Sequence, residues 1–304
     1  MTANPQDTVP DNSAAKLGVL ALVTACVVWG LSGLFYKLLS HLPPLQVLSH
    51  RTLWSCVFFA LVLLVQGRLH LVGGVLRQPR QTLTLLVAAL MIGANWFMFI
   101  LSIQVGKATE ASLGYYIFPL VSVLMGVVFF RERLGRLQWG AVALAVLAVS
   151  ILTWGLGVAP WVSLLIAVTF GLYGVIKKKL TLGPVVSVTV EVLLLSPVAL
   201  IILWQVWAGG GSVWGNGARD IALLMISGPL TATPLILFSF ATKRVQLATV
   251  GLVQYLNPTL QFLVATLVFA EPFGPWHAIA FPIIWAALAL YSGASLWQAR
   301  RTGA

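Results

Sequence analysis

Residues 110–134 read EASLGYYIFPLVSVLMGVVFFRERL, and this stretch indicates the kind of protein that the chain forms. It holds no charged side chain between Glu110 and Arg131, an interval about as long as an α-helix needs to cross ~30 Å of hydrocarbon. Its apolar residues do not alternate with polar ones, as they would in a strand of a membrane barrel. The stretch therefore predicts a membrane-spanning helix.

The rest of the sequence has the same character. Its 304 residues are 60% hydrophobic and 8% charged, and the mean hydropathy is +0.97. So little polar surface cannot cover a soluble globule, because folding in water needs a polar exterior. The expected fold is an all-α integral membrane protein.

Apolar blocks separated by turn residues and charges predict ten transmembrane helices. The predicted spans are residues 17–39, 43–65, 82–103, 108–130, 137–154, 160–176, 183–206, 220–241, 247–269 and 276–297. Residues 1–15 are polar and lack the basic start of a secretory signal, so we expect a disordered cytoplasmic tail there. Residues 299–304 are expected to form a short basic cytoplasmic tail.

The orientation follows from the distribution of Lys and Arg. With the N-terminus in the cytoplasm, fourteen of these residues fall in inside segments and three at outside ends or loops. This asymmetry predicts that both termini are cytoplasmic. It also explains the net charge of +11 without a nucleic-acid partner.

An internal repeat is visible in the spacing of the less common residues. Tyr116 and Pro119 of the fourth span recur as Tyr255 and Pro258 of the ninth, 139 positions later, and Pro44 recurs as Pro184 after 140. A unit of five spans that is duplicated must enter the membrane from the opposite face the second time. We therefore expect two inverted five-helix repeats, residues 16–155 and 156–298, around a central cavity.

Four stretches carry a family resemblance: WGLSGLFYKLLSHLPPLQVLSHRTLWS (29–55), GANWFMFI (93–100), EASLGYYIFPLVSVLMGVVFFRERL (110–134) and QYLNPTLQFLVATLVFAE (254–271). Together they resemble the RarD-like group of the EamA family, in the drug/metabolite transporter superfamily. The resemblance covers about residues 17–297. It implies two EamA-type repeats in a bacterial inner membrane and transport of small organic metabolites, with amino acids and amphipathic drugs such as chloramphenicol among the expected solutes.

The chain departs from many relatives at one position. Phe118 stands where the second repeat has Asn257, so a symmetric pair of Asn-Pro motifs is absent from the sequence. A binding site that needs both amides is therefore not expected.

Two charges inside apolar spans are the main candidates for a solute site. Arg51, beside His50, and Glu191 each lie seven residues after one of the matched prolines, at mirrored depths where a lone ion is expensive. Arg51 can either extend to the interface or offer a cation to a carboxylate or other electron-rich solute. Glu191 can either be a protonated carboxyl group or pair with Arg51, directly or through water.

The mid-membrane prolines point to further candidates. Pro119 and Pro258 each free a backbone carbonyl four residues earlier, and polar backbone at that depth must face protein or water. A kink with inert neighbours is the structural alternative. The candidate cavity residues are His50, Arg51, Trp54, Asn95, Trp96, Tyr115, Tyr116, Glu191, Gln254, Tyr255 and Asn257.

Other residues are expected to be structural. Glu132 and Glu271 follow the Pro-containing spans, where a carboxylate can bind free N–H groups at a helix start. The glycines at 30, 33, 171 and 174 are expected to permit close helix approach.

No motif for catalysis or for a cofactor is present. The sequence lacks HExxH, a paired intramembrane Asp and a phosphate-cradling loop, so we expect neither an enzyme nor a primary pump. Cys26 and Cys56 lie within apolar blocks and predict neither a metal site nor a disulfide. The expected partners are a small-molecule solute and the lipid bilayer, a channel or scramblase is the alternative function, and monomer and homodimer are both open.

Overall fold

The structure is a computed structural model that describes residues 12–131, 134–157, 160–178, 180–242, 244 and 253–302. All regular structure within these ranges is helical. The helices are α1 (Asn12–Leu38), α2 (Pro44–Val65), α3 (His70–Leu76), α4 (Pro79–Gln104), α5 (Ala108–Phe130), α6 (Arg136–Leu156), α7 (Trp161–Lys178), α8 (Pro184–Ala208), α9 (Ala218–Thr242), α10 (Leu256–Leu263) and α11 (Pro275–Thr302). A π-helical turn, Val264–Val268, continues α10.

Eight of these helices are long and apolar enough to cross a bilayer. They are α1, α2, α4, α5, α6, α8, α9 and α11. The sixth and ninth predicted spans correspond to two shorter apolar helices, Trp161–Lys177 and Leu256–Val268. Part of the ninth span, residues 247–252, lies outside the described residues.

The structure also differs from the prediction at the two termini and between α2 and α4. α1 begins at Asn12 and α11 continues to Thr302, so the parts of the two predicted tails that are described are helical. Between α2 and α4 lies the unpredicted helix α3, which turns its buried Val72 and Val75 toward Leu63 of α2. α3 is only two turns long, and its two buried valines, three residues apart, are too few to reveal a helical period in the sequence.

Prolines and left-handed residues mark the helix ends. Pro44, Pro79 and Pro184 each begin a helix, where a missing N–H costs no hydrogen bond. Arg131 follows α5, Ala270 follows the π-helical turn after α10, and their φ values are 55° and 51°. These two positions are 139 residues apart, the same spacing that separates Pro119 from Pro258.

Helix packing follows a paired pattern. α1 packs on α9 and α10, while α7 packs on α4 and α5. α2 packs on α9, and α8 packs on α4. α2 also packs on α8, and α6 packs on α11. These contacts are unchanged when α1, α2, α4, α5 and α6 are exchanged for α7, α8, α9, α10 and α11, in that order.

Glycines allow several of these contacts to be close. A Cβ added to Gly30 would lie 2.6 Å from the Leu260 Cβ, and one added to Gly171 would lie 2.8 Å from the Met125 sulfur. A Cβ added to Gly33 would lie 3.2 Å from the Cδ1 atom of Ile103. A Cβ added to Gly174 would meet no neighbouring heavy atom within 4 Å, so the expected close helix approach is not found at this glycine.

Gly114 gives a test of this packing, with Gly174 as its matched control. Gly114→Ala would place a methyl group 2.8 Å from the Ser163 carbonyl oxygen, which is backbone and cannot rotate away. We expect the free energy of unfolding to fall by about 1–3 kcal/mol. Gly174→Ala should leave it unchanged or raise it slightly, because alanine favours helix and the space is open. Denaturant titration in mixed micelles measures both, and equal effects would contradict the proposed contact.

Candidate functional site

Arg51 is buried in the bundle and does not extend to its surface. Its side chain is carried by α2, and the residue is only 7% exposed. The guanidinium carbon lies 4.3 Å from the ring centre of Trp96 on α4 and 5.4 Å from that of Tyr36 on α1. A cation between two aromatic rings is attracted by their negative faces. The Nε atom is buried and has no hydrogen-bond partner.

A second unpartnered polar atom lies on the same face of α2. Ser55 is one helical turn after Arg51, is fully buried, and its hydroxyl has no hydrogen-bond partner. The neighbouring hydroxyls on α2, Ser49 and Thr52, each donate to a backbone carbonyl four residues earlier. Ser55 was not predicted as a site residue, although its i+4 relation to Arg51 is visible in the sequence.

Glu191 pairs with Lys177, and not with Arg51. Its Oε1 atom lies 2.6 Å from the Lys177 Nζ, and Ser187 and Tyr173 donate to its two oxygens over 2.9 and 3.0 Å. Lys177 also contacts the Ser187 hydroxyl. Of the alternatives for Glu191, the direct pair with Arg51 is therefore not formed in this structure, because Lys177 binds the carboxylate.

Lys177 and Tyr36 are related by the spacing of the predicted repeat. The two residues are 141 positions apart, as are Gly30 and Gly171. In the structure Tyr36 contacts Arg51 and Lys177 contacts Glu191, so the two charges have neighbours at corresponding positions of the predicted repeat. The predicted sixth span ends at residue 176, so Lys177 was counted among the fourteen inside charges, but its spacing from Tyr36 was a signal that could have found it.

The Asn95 amide and the Tyr115 hydroxyl form hydrogen bonds that join α4, α5 and α7. The Asn95 amide donates to the Ile166 carbonyl oxygen over 3.0 Å and to the Thr169 hydroxyl over 3.4 Å. The Tyr115 hydroxyl donates to the Asn95 side-chain oxygen over 3.0 Å. Asn95 and Tyr115 were both predicted, and the structure brings them together with α7.

Aromatic rings connect Arg51 to the Glu191 cluster. Tyr36, Phe99, Tyr115, Phe170 and Tyr173 follow one another with ring centres 6.0–6.1 Å apart. The first ring contacts Arg51, and the last donates its hydroxyl hydrogen bond to the Glu191 carboxylate. The two charges thus belong to one buried region even though they do not pair.

The side chains of His50 and Trp54 contact other residues than the side chain of Arg51 does. They are four residues apart on α2, so they share a face, and both rings pack against Trp214 in the loop after α8. The His50 Nε2 atom is 2.8 Å from the Val213 carbonyl oxygen. The backbone of Trp54 packs against Gly228 of α9. These contacts give the two residues a role in holding the loop.

Tyr116 and Tyr255 line a cavity of about 440 Å³ between α5, α10 and α11. The Tyr116 hydroxyl is hydrogen-bonded to that of Thr259 over 2.8 Å. Trp285 and Ser292 of α11 add an indole and a hydroxyl to the wall, and neither was predicted. Arg51 and Glu191, which were candidates together with the two tyrosines, do not line this cavity.

The remaining candidates lie in or near α5 and α10. Gln254 is exposed, and Asn257 is half-buried and accepts a hydrogen bond from Gln261 over 3.0 Å. Pro119 lies inside α5, and Pro258 is buried near the start of α10. Glu132 lies outside the described residues.

Glu271 binds the start of a helix in the other half of the chain. Its two carboxylate oxygens accept hydrogen bonds of 2.7 Å from the backbone N–H groups of Ala108 and Thr109, at the start of α5. A carboxylate there satisfies two free N–H groups and favours the helix dipole. The structural role was predicted for the next helix in sequence, whereas the contact is made across the two halves.

We expect Glu271→Gln to lower the free energy of unfolding by about 1–2 kcal/mol, because one oxygen becomes an NH₂ group that cannot accept from an N–H. Glu110→Gln is the control, since its ion pair with the partly exposed Lys107 should contribute less than about 1 kcal/mol. Denaturant titration in micelles compares the two variants. A smaller loss at position 271 than at 110 would contradict the capping role.

Comparison with known proteins gives consistent matches. The sequence profile of the EamA-like transporter family matches residues 16–154. An uncharacterized transporter of Vibrio cholerae is 39% identical over 93% of this chain and 94% of its own length. The protein RarD of Escherichia coli is 34% identical over 96% and 99%, and a chloramphenicol-sensitive protein RarD of Pseudomonas aeruginosa is 32% identical over 90% and 92%.

A solved crystal structure shows the same fold. It is 20% identical in sequence and superposes with a TM-score of 0.61 over 90% of this chain and 96% of the other. The relatives align with nearly the whole chain, and the apolar helices are those expected of a membrane transporter. The chain belongs to the EamA family of the drug/metabolite transporter superfamily, in its RarD-like group, and is a multi-pass membrane transporter.

Proposed function

We propose that the chain is a secondary transporter that exports or exchanges small organic metabolites across a bacterial inner membrane by alternating access. One observation carries the proposal: three polar side chains are buried inside the bundle, in a region that a series of aromatic rings connects. Arg51, Asn95 and Glu191 are 7%, 1% and 1% exposed within apolar helices. Polar groups at that depth are costly, and in membrane proteins they mark solute and ion pathways.

The proposed architecture is ten spans in two inverted five-helix repeats. The paired helix packing supports it, since α1 contacts α9 and α10 as α7 contacts α4 and α5. The left-handed residues Arg131 and Ala270 also support it, because they repeat the 139-residue spacing. Such a pair of halves can each adopt the shape of the other, which exposes a central site to the two sides in turn.

Both termini are proposed to lie in the cytoplasm, as the Lys and Arg distribution predicts. Reporter fusions test this orientation. A fusion after Gly106 should report the outside and one after Lys179 the inside. The reverse pattern would show that the orientation is inverted.

The energy source is proposed to be a solute or ion gradient, and the solutes are proposed to be small metabolites, amino acids or amphipathic drugs. The name of the chloramphenicol-sensitive relative makes labelled chloramphenicol a reasonable first probe, beside a panel of labelled amino acids and organic acids. A carrier in proteoliposomes should give saturable uptake that is accelerated by unlabelled solute on the opposite side. Linear flux without this acceleration would indicate a channel.

A further inference from the structure

We propose that the transported solute is an organic carboxylate with a flat apolar part, and that its carboxylate binds Arg51 and Ser55 of α2. This inference rests on the proposed transport function and names the chemical class of its substrate. The observation behind it is that two buried polar groups on one face of a membrane helix both lack a hydrogen-bond partner.

The charge of Arg51 calls for an anion. Within the described part of the chain, the ion pairs are His41–Asp220, Lys107–Glu110 and Lys177–Glu191, and none includes Arg51. A buried cation without a counter-ion is expensive, and the aromatic faces of Trp96 and Tyr36 offset only part of that cost. A bound anion would supply the missing charge.

The geometry of the two groups favours a carboxylate over a neutral acceptor. The guanidinium Nε–H and the Ser55 hydroxyl are both donors, and residues four apart on a helix are neighbours on its surface. A carboxylate offers two oxygens and can accept from both, with a charge-assisted bond to the guanidinium. A carboxamide offers one oxygen and places an NH₂ group against a cation.

The surroundings of Arg51 favour a flat apolar group attached to the carboxylate. Trp96 packs with Phe59, Val188 and Val192 in one apolar cluster beside the guanidinium. The ring series that begins at Tyr36 extends from the other side. An aromatic or planar solute body can pack on these faces, whereas acetate would leave them uncovered.

Thermal unfolding of the purified full chain in detergent tests the proposal with sodium benzoate, benzamide and sodium acetate as probes. Saturating benzoate should raise the midpoint by about 3 °C, because a ligand that binds only the folded state stabilises it. Benzamide should give no rise, and acetate a smaller one. An equal rise with benzamide would overturn the requirement for an anion, and an equal rise with acetate would overturn the requirement for a flat group.

Variants assign the effect to the site. Arg51→Gln should weaken benzoate binding at least about 10-fold, and Ser55→Ala should weaken it by less. Arg219→Gln, which removes an exposed arginine from α9, should bind benzoate as the unaltered protein does. If Arg51→Gln does not fold, Arg51→Lys keeps the charge and removes the Nε donor, and it should bind benzoate more weakly.

The outcomes separate this inference from the proposed function. Benzoate binding that survives Arg51→Gln, or no shift with benzoate, phenylacetate or indole-3-acetate, would overturn the carboxylate site. Trans-accelerated uptake of a neutral solute would in that case still support a transporter. Carboxylate binding without any such uptake would instead overturn the transport function and keep the site.

Discussion

Lys177→Met is expected to lower the free energy of unfolding by about 3 kcal/mol, because it leaves the Glu191 carboxylate buried without its cation. Glu191 is 1% exposed and lies 2.6 Å from the Lys177 Nζ. The hydrogen bonds from Tyr173 and Ser187 remain, but they do not neutralise the charge. Denaturant titration in mixed micelles measures the loss.

The double variant Lys177→Met/Glu191→Gln should regain at least half of that loss. Once both charges are removed, no buried ion is left uncompensated, and the glutamine can still bond to Tyr173 and Ser187. The coupling free energy from the complete cycle is expected to be about 1.5–3 kcal/mol. Additive single effects would mean that the ion pair contributes nothing to folding.

The same cycle with Arg51 in place of Lys177 provides the control. A pair of Arg51 with Glu191, one of the alternatives that the sequence left open, would make the two substitutions couple. The structure gives Glu191 a different partner, so Arg51→Gln and Glu191→Gln should add to within about 0.5 kcal/mol. A larger coupling here than in the Lys177 cycle would favour the original pairing.

Local sequence patterns were sufficient to predict most of the helices. Apolar blocks of helical length are unambiguous when lipid is the solvent, because every backbone group must then be bonded within the helix. The predicted spans 43–65 and 183–206 begin one residue before α2 and α8, which start at Pro44 and Pro184. α3 was missed because a helix of seven residues presents only two buried positions, too few to establish a period.

The choice of partner for each buried polar group was harder to predict. Arg51 and Glu191 could be recognised from the sequence, because a charge inside an apolar span is unusual whichever way the helix faces. Which groups they contact depends on how helices distant in sequence are rotated against one another. Glu271 shows the same limit, since its position beside a helix start was predicted but the helix that it caps lies 163 residues earlier.

Helical phase explains the errors at α2. His50, Arg51 and Trp54 fall within five residues, and sequence reasoning treated them as one site. Successive residues are rotated by about 100°, so His50 and Trp54 face the loop at Trp214 while Arg51 faces Trp96. Ser55 shares the Arg51 face and was left out, because a serine in an apolar span is unremarkable until its hydroxyl is found without a partner.

Arg51→Leu should separate stability from transport. In this conformation the guanidinium makes no ion pair with any described residue, so the substitution removes a desolvated charge together with the attraction of Trp96 and Tyr36. That attraction contributes about 2 kcal/mol, and burial of an unpaired charge costs at least as much. We therefore expect the free energy of unfolding to stay the same or to rise by about 1 kcal/mol.

Transport by the same variant should fall by about 100-fold, because the solute carboxylate would lose its charged partner in a site that excludes water. Initial rates of trans-accelerated uptake in proteoliposomes measure this loss, at equal protein content. Arg219→Leu on the exposed face of α9 is the matched control and should change neither quantity. If Arg51→Leu instead lowers the free energy of unfolding by several kcal/mol, the guanidinium holds the bundle together, and its buried Nε–H is not reserved for a solute.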